Sequence, residues 1–304
     1  TGLGIRTRLE AFEGVVLRSL TGERRKDPAA RQEMMREVDL VVLCLPDDAA
    51  KESTALADAL RDRAPKLLDA STAHRVDPDW AYGFPEMAAD QAARIAASRK
   101  VANPGCYPSG SIALIRPLVD AGVMAADHPV MINAVSGYSG GGKAMIEAHD
   151  SAGGPSFELY GMGFEHKHVP ETQAYCGLSR RPIFIPSVGH FRQGMLVSVP
   201  LHLDMLAGKP SGADVAAILE AHYRGSALVR VMPTQPGNRL EAEDLNDTDM
   251  LELRVYANDR YRQALLVARL DNLGKGASGA AVQNIALMLG LVHPGNVARE
   301  LAAA

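Results

Sequence analysis

One cysteine lies where the surrounding residues could make it a nucleophile. Cys106 occurs in the segment Asn103-Pro-Gly-Cys-Tyr-Pro-Ser109, where the Pro-Gly pair predicts a tight turn and Pro108 suits the first turn of a helix. The apolar spacing that follows predicts a helix closed by Gly122. Free backbone N–H groups at a helix N-terminus stabilise a thiolate and any oxyanion beside it. The segment therefore predicts covalent catalysis by Cys106.

Covalent chemistry on sulfur needs a group that carries protons, and histidine suits this role near neutral pH. We choose His190 from the nine histidines, because it lies in the glycine-flanked loop Val188-Gly-His-Phe-Arg-Gln-Gly194 ahead of a long apolar segment. His166 and His168 are the alternatives, as substrate-binding or orienting groups. No cysteine or carboxylate cluster has the spacing that would complete a metal site with them, so we predict no metal.

The elements of the first hundred residues alternate between strand and helix. Two short apolar strands, Leu40 to Leu45 and Lys66 to Ala70, flank an alanine-rich helix predicted over Asp47 to Ala64. We interpret the apolar run from Val15 to Leu17 as an earlier strand. This β-α-β order predicts a doubly wound, parallel, Rossmann-like sheet of the α/β class.

The start of the chain resembles the end of a phosphate-binding turn that runs into a helix, with Thr1, Gly2 and Leu3 at the turn. A nucleotide-binding fold places a strand and an earlier glycine before such a turn. Either this sequence begins after that strand or the protein lacks it, and we favour the first, because a missing central strand would leave buried backbone groups of its two neighbours unsatisfied. Arg18 and Ser19 follow the apolar run at the position where NAD enzymes usually carry an acidic residue. A basic residue there suits a 2′-phosphate and predicts NADP.

The second half of the chain predicts a different architecture. Long extended segments, such as Gly194 to Leu203, join a hairpin that turns at Asn258-Asp259. We expect an α+β domain with a mixed, mainly antiparallel sheet. The predicted boundaries are a nucleotide domain over 1–104, a catalytic and oligomerisation domain over 105–270, and a C-terminal helix over 271–304 that returns to the first domain.

Composition narrows the partners of this chain. Its 304 residues carry a formal net charge of -4, with 47% hydrophobic and 22% charged residues. Neither a basic tract nor a membrane-length apolar run occurs, so we expect a small-molecule substrate rather than nucleic acid or a membrane. Cys44 and Cys176 have no setting like that of Cys106, and three scattered cysteines favour a reducing, cytoplasmic location.

Several motifs in this chain together resemble one family, the N-acetyl-gamma-glutamyl-phosphate reductases of the shorter type. The string around Cys106 resembles the active-site signature of that family, and further segments agree in order. These are Asp69-Ala-Ser-Thr-Ala-His-Arg75, Tyr82-Gly-Phe-Pro-Glu86, Ser136-Gly-Tyr-Ser-Gly-Gly-Gly-Lys143, the stretch from Tyr160 to Glu171 with His166 and His168, the His190 loop, and Asn272-Leu-Gly-Lys-Gly-Ala277.

The resemblance implies reduction of N-acetyl-gamma-glutamyl phosphate to the semialdehyde by NADPH, with release of phosphate, by a homo-oligomer. It places Cys106 and His190 in catalysis. The residues expected to bind the cofactor are Thr1, Gly2, Leu3, Arg18, Ser19, Leu45, Pro46, Ser71, Asn272 and Lys275. Those expected to bind the substrate through charge or hydrogen bonds are Arg75, Glu86, Asn103, Ser136, Ser139, Lys143 and Arg192.

Three other functions are compatible with parts of this pattern. Aspartate-semialdehyde dehydrogenase would share the architecture and the cysteine–histidine chemistry, with a shorter substrate that carries a free amine. A cysteine acyltransferase or hydrolase would leave the nucleotide-domain pattern unexplained. A non-catalytic nucleotide-binding scaffold would leave the settings of Cys106 and His190 without a purpose.

Overall fold

The computed structural model describes residues 2–233 and 239–291 of the chain. These residues fall into two compact units, one that ends at Pro104 and resumes at Ala277, and one over Gly105–Gly276. No helix in the described ranges is long and apolar enough to cross a membrane.

The described residues contain eleven strands and nine α-helices. The strands are β1 (Leu40–Leu43), β2 (Lys66–Asp69), β3 (Ala81–Tyr82), β4 (Lys100–Ala102), β5 (Met131–Gly137), β6 (Phe157–Leu159), β7 (Ile183–Gly189), β8 (Met195–His202), β9 (Val229–Val231), β10 (Leu251–Asn258) and β11 (Gln263–Leu270). The helices are α1 (Gly2–Glu10), α2 (Pro28–Met35), α3 (Asp47–Asp58), α4 (Gln91–Ala97), α5 (Cys106–Asp120), α6 (Lys143–Ala152), α7 (Val169–Tyr175), α8 (Gly212–His222) and α9 (Gly279–Leu289).

The first unit is built on a four-stranded parallel sheet in the order β1-β2-β4-β3. Leu68 and Val101 are fully buried in its central strands and belong to a core that includes Ile5 of α1, Ile95 of α4 and Ile285 of α9. Apolar side chains from helices thus cover the sheet, as parallel strands require. This arrangement confirms the α/β prediction for this part of the chain.

The apolar run from Val15 to Leu17, interpreted as a strand from the sequence, is not a hydrogen-bonded strand in the structure. Val15 and Leu17 pack against the core, whereas Val16 between them is 86% exposed. The side chains therefore alternate as in a strand, but among the described residues no neighbouring strand pairs with this segment. Alternating apolar residues indicate which side chains are buried, but they do not by themselves provide a neighbouring strand for hydrogen bonding.

The second unit is built on a seven-stranded mixed sheet in the order β6-β7-β5-β8-β11-β10-β9. The β5–β7 and β9–β10 pairs are parallel and the remaining pairs are antiparallel. β10 and β11 form the predicted hairpin, with Asn258 opposite Gln263. Helices α5 and α8 contact β8, β10 and β11 of this sheet. The mixed, mainly antiparallel architecture predicted for the second domain is confirmed.

Candidate active site

Cys106 is the first residue of α5, and Gly105 before it is the extended N-cap. The thiol-bearing residue is half-buried, whereas the helix behind it is buried along most of its length. The carboxylate of Glu171, in the first turn of α7, accepts a 3.1 Å hydrogen bond from the backbone N–H of Gly105. Cys106 therefore stands at the N-terminal end of the helix, and the turn before it is fixed from α7.

Two tyrosine hydroxyls lie beside Cys106. Tyr160 donates a hydrogen bond of 3.2 Å to the hydroxyl of Tyr107, which in turn donates one of 3.0 Å to the carbonyl of Ser187. Burial raises the pKa of Tyr160 to about 12, and the neighbouring Cys106 also raises it. Burial likewise raises the pKa of Tyr107, next to Tyr160 and Cys106. Both hydroxyls are therefore neutral hydrogen-bonding groups near the thiol.

His166 packs against this tyrosine pair. Its ring lies edge-on to Tyr107 at 6.0 Å and to Tyr160 at 5.6 Å between centroids. Burial, with a smaller effect of Lys167, lowers the pKa of His166 to about 4. Its Nδ1 accepts a hydrogen bond of 3.2 Å from the backbone N–H of His168. His166 is thus a neutral imidazole at neutral pH, and the remaining ring nitrogen can act on a substrate.

His190, the histidine chosen from the sequence, is exposed and pairs with a second imidazole. Its Nδ1 lies 2.9 Å from Nδ1 of His149, and the two rings stack at 5.1 Å. His149 is buried and also stacks on Tyr138, with centroids 4.5 Å apart. One of the two Nδ1 atoms must donate and the other accept. This bond fixes the His190 ring through Nδ1 and leaves Nε2 for chemistry.

The loop that carries His190 is hydrogen-bonded to the serine and glycine loop after β5. The backbone N–H groups of Tyr138 and Ser139 donate to the carbonyls of Phe191 and Arg192. Asn272 joins the same assembly, because its Oδ1 accepts from the Gly194 N–H at 2.8 Å and its Nδ2 donates to Ser139 at 2.9 Å. Both ends of the Asn272 amide are therefore used to hold these two loops together.

The remaining polar residues predicted for this unit have different environments. Ser136 is buried beside Tyr107 and donates to the Gly137 carbonyl at 3.0 Å. Arg192 is exposed and lies 3.3 Å from Asp150. Lys143, at the start of α6, is exposed with Glu147 at 3.5 Å. Lys275 is 1% exposed within the π-helix Gly274–Ser278. Two cations are therefore accessible to an anionic ligand and one is enclosed.

Two of the three predicted substrate residues of the first unit, Arg75 and Asn103, are hydrogen-bonded to each other. Nε of Arg75 donates to the Asn103 carbonyl at 3.0 Å, and both side chains are buried. The Asn103 amide donates to the Ala277 carbonyl and accepts from Asn284. Glu86 accepts a 2.8 Å hydrogen bond from Gln283. Arg75 and Asn103 thus build the segment that leads to Cys106, three residues further on.

Gly2, Arg18 and Ser19, which were predicted to bind the cofactor, lie at the start of α1 and in the exposed segment after it. Gly2 begins α1, and a side chain at that position would lie only 3.2 Å from Cβ of Cys44. Arg18 and Ser19 are exposed, paired with Glu37 and Arg6 at 2.8 Å each. Among the other predicted cofactor residues, Leu3 lies within α1, Leu45 and Pro46 are exposed after β1, and Thr1 lies outside the described residues.

Ser71, also predicted to bind the cofactor, is engaged inside the first unit. Its hydroxyl donates to the buried carboxylate of Asp69 at 2.7 Å, and its backbone N–H donates to the other oxygen at 2.9 Å. His74 contacts the same carboxylate at 2.6 Å and stacks on Trp80. These bonds shape the turn after β2, so the turn presents its backbone more than the Ser71 hydroxyl.

Sequence reasoning missed the side chains that surround Cys106. Tyr107 lies in the motif around Cys106, and Tyr160 and Glu171 are the first and last residues of another motif shared with the family. No role was predicted for any of the three. None was predicted for His149 either. A signal for Glu171 existed, because an acidic residue in the first turn of a helix is often engaged with backbone N–H groups. No comparable local signal marks His149.

Comparisons with known proteins agree with this arrangement. Residues 15–95 match the family described as semialdehyde dehydrogenase, NAD binding domain, and residues 106–272 match the semialdehyde dehydrogenase dimerisation domain. Among solved structures, aspartate semialdehyde dehydrogenase II of Vibrio cholerae superposes with a TM-score of 0.66 at 18% identity, over 84% of this chain and 81% of that one. At that identity the likeness shows the shared fold.

Much closer relatives carry a different name from these structures. N-acetyl-gamma-glutamyl-phosphate reductase of Brucella ovis is 51% identical over 95% of this chain and 96% of its own length. N-acetyl-gamma-glutamyl-phosphate reductase 2 of Pseudomonas putida is 50% identical over 96% and 95%. The family resemblance seen in the sequence is thereby confirmed, and it outweighs the resemblance to aspartate-semialdehyde dehydrogenases. The chain belongs to the N-acetyl-gamma-glutamyl-phosphate reductase family of oxidoreductases.

Proposed function

We propose that this protein reduces N-acetyl-gamma-glutamyl phosphate to N-acetylglutamate semialdehyde, with NADP as its cofactor and Cys106 as its covalent nucleophile. The observation that carries the proposal is the position of Cys106 as the first residue of α5, in a chain half identical to reductases of that name. A hydrolase would have no use for the nucleotide-binding domain that residues 15–95 match, and a nucleotide-binding scaffold would have no use for a cysteine at the start of α5.

In the proposed reaction, the Cys106 thiolate attacks the acyl carbon and the carbon–phosphate oxygen bond breaks. Phosphate leaves and a thioester remains, so one difficult displacement becomes two easier steps. The first-turn N–H groups of α5 stabilise the oxyanion that forms during attack. Reduction of the thioester gives a thiohemiacetal. Its collapse breaks the carbon–sulfur bond, releases the aldehyde and regenerates the Cys106 thiolate.

An imidazole handles the proton of the thiol and of the thiohemiacetal hydroxyl. We propose His190 for this role, because its Nδ1 is held by His149 and its Nε2 is left for the reaction. His166 is the second candidate, since it packs against the two tyrosines that lie beside Cys106. Arg192 and Lys143, two exposed cations of this unit, are proposed to bind the phosphate and carboxylate of the substrate.

The first unit offers residues that fit a nicotinamide dinucleotide. Gly2 at the start of α1 gives N–H groups that suit a pyrophosphate, and the exposed guanidinium of Arg18 suits a 2′-phosphate. When bound, the dinucleotide supplies the hydride that reduces the thioester. Leu45 and Pro46, exposed after β1, are proposed to line its binding surface.

We also propose that the active form is a homo-oligomer, a dimer or a tetramer, in the cytoplasm. The match of residues 106–272 to a dimerisation domain supports self-association. One face of the seven-stranded sheet forms a groove lined by apolar side chains that include Phe157, Leu159 and Leu265, and each of these is exposed in the single chain. All three cysteines carry free thiols, which is typical of reducing compartments.

The substrate is tested in the reverse direction. Purified protein is mixed with phosphate, NADP⁺ and either N-acetylglutamate semialdehyde or aspartate semialdehyde, and NADPH absorbance is followed. Phosphate-dependent NADPH formation with the acetylated substrate, and little with the other, is the expected result. Activity with aspartate semialdehyde alone would overturn the substrate assignment and keep the chemistry. Activity with neither would overturn the function.

A further inference from the structure

We propose that Gly276 is a positioning residue for Cys106, because a residue without a side chain at position 276 leaves the room that the Cys106 side chain occupies. This proposal rests on the function proposed above, because it takes Cys106 as the nucleophile. Gly276 lies within the π-helix Gly274–Ser278 that follows β11. Such helices are rare in proteins, but many of those that occur lie at functional sites.

The contact between the two residues is close. A Cβ placed on Gly276 would lie 2.9 Å from Cβ of Cys106 and 3.4 Å from its Cα. The same atom would lie 3.1 Å from the backbone carbonyl oxygen of Asp271. Carbon atoms in ordinary contact are separated by about 3.5–4.0 Å. A methyl group at 276 therefore overlaps the root of the nucleophilic side chain, where no rotation of a flexible side chain can relieve it.

The helix that carries Cys106 is held firmly. Gly105 is bonded to Glu171 through its N–H, and its carbonyl accepts from the backbone N–H of Ser109 at 3.1 Å. The Ser109 hydroxyl donates to the same carbonyl at 3.0 Å. Behind this turn, residues such as Ile112 and Ile115 are completely buried. A displacement of Cys106 away from position 276 thus disturbs the first turn of α5.

The opposite side of the contact is held by Asp271. Its carbonyl accepts from the Gly276 N–H at 2.9 Å, and its buried carboxylate accepts from the Leu273 N–H at 2.8 Å. The second carboxylate oxygen accepts from the Asp247 N–H at 2.8 Å and from the Gln193 side chain at 3.0 Å. Because Gln193 belongs to the loop of His190, the same aspartate fixes position 276 and that loop.

Since both sides are fixed, a side chain at 276 moves the thiol from its place. A misplacement of about 1 Å can cost about 10²-fold in rate. We expect Gly276→Ala to lower kcat by about that factor while the KM for NADPH stays near its wild-type value. We also expect a changed rate of alkylation of Cys106 by iodoacetamide. This rate is measured by mass spectrometry of the peptide that contains Cys106. Gly163→Ala is the matched control, because a Cβ there meets no atom within 4 Å.

A stability cycle keeps the proposal testable if Gly276→Ala is too unstable to assay. Melting temperatures are measured for wild type, Gly276→Ala, Cys106→Gly and the double variant. Removal of the Cys106 side chain removes the overlap, so Gly276→Ala costs clearly less stability in the Cys106→Gly chain. Additive effects in the cycle, or a Gly276→Ala protein with wild-type kcat and alkylation rate, would overturn the proposal. Neither alkylation nor melting uses the substrate, so a wrong function would show as an inactive wild type with the coupling intact.

Discussion

The carboxylate of Glu171 accepts a hydrogen bond of 3.1 Å from the backbone N–H of Gly105, the residue that precedes Cys106. Glu171 is 1% exposed, so this bond lies in the interior. The first turn of α7 thereby holds the turn from which Cys106, the proposed nucleophile, projects. We therefore expect the proposed chemistry of Cys106 to depend on a residue of another helix.

Glu171→Ala removes the acceptor of the Gly105 N–H. A buried donor left without an acceptor costs about 1–3 kcal/mol, so we expect a lower melting temperature and slower turnover. Glu171→Gln retains an oxygen acceptor and is expected to recover part of both losses. Thermal unfolding and steady-state kinetics on the two variants check this, and an alanine variant as stable and active as wild type would show that the bond is dispensable.

The histidine that handles protons is identified by exchanging His190 and His166 separately for glutamine. Loss of a general acid–base group typically costs about 10²–10⁴-fold in rate. We expect His190→Gln to lower kcat within that range with a small change in KM. His149→Gln tests the bond to His190 and is expected to reduce kcat less. If only His166→Gln shows the large loss, the catalytic role passes from His190 to His166.

The titration of His166 gives the protein a specific response to acid. Its pKa is lowered from 6.5 to about 4 in the folded state by burial. The unfolded chain therefore binds more protons between these two values, so this group lowers the free energy of unfolding as the pH falls from 6.5 towards 4. Chemical denaturation between pH 7 and 4 measures the effect. His166→Gln is expected to flatten that slope, and an NMR titration of His166 with a midpoint near 6.5 would contradict the account.

Arg18 is expected to distinguish NADPH from NADH. Its guanidinium is exposed and lies 2.8 Å from the Glu37 carboxylate at the surface, from where it can turn to a 2′-phosphate. A hydrogen bond to a charged group contributes about 1.5–3 kcal/mol, and Arg18→Ala should therefore raise the KM for NADPH by at least about tenfold. The KM for NADH should hardly change. Arg36→Ala, an exposed arginine bonded to Gln32, serves as control; equal effects of Arg18→Ala on both cofactors would remove the assigned role.

Local signals predicted much of the fold and the position of Cys106 at the start of a helix. The turn and proline around Cys106 marked the start of α5, and the Asn258-Asp259 turn marked the β10–β11 hairpin. These elements depend on neighbours in the sequence, where turn chemistry and periodicity are informative. The Val15 to Leu17 run failed as a strand because a strand also needs a partner, which its own residues do not specify.

The contacts that refine the site join distant parts of the chain. His149 and His190 are separated by 41 residues, and Gly105 and Glu171 by 66. His149 and His190 meet because parallel pairing brings the ends of β5 and β7 together, with Gly137 opposite Gly189. Gly105 and Glu171 meet because α7 packs against α5. Periodicity and motif spacing carry no information about this convergence, so the partners of Cys106 and His190 required the structure.

The most direct test of the account is a single-turnover measurement without phosphate. Enzyme is mixed with excess N-acetylglutamate semialdehyde and NADP⁺, and the amount of NADPH formed per active site is measured. The masses of the intact protein and of its peptides are then determined by mass spectrometry. The account predicts a burst of about one NADPH per site, an N-acetylglutamyl thioester on the Cys106 peptide, and steady turnover once phosphate is added. Cys106→Ser should show none of these. A burst without an adduct on Cys106, or undiminished turnover by Cys106→Ser, would contradict the claim that Cys106 is the nucleophile.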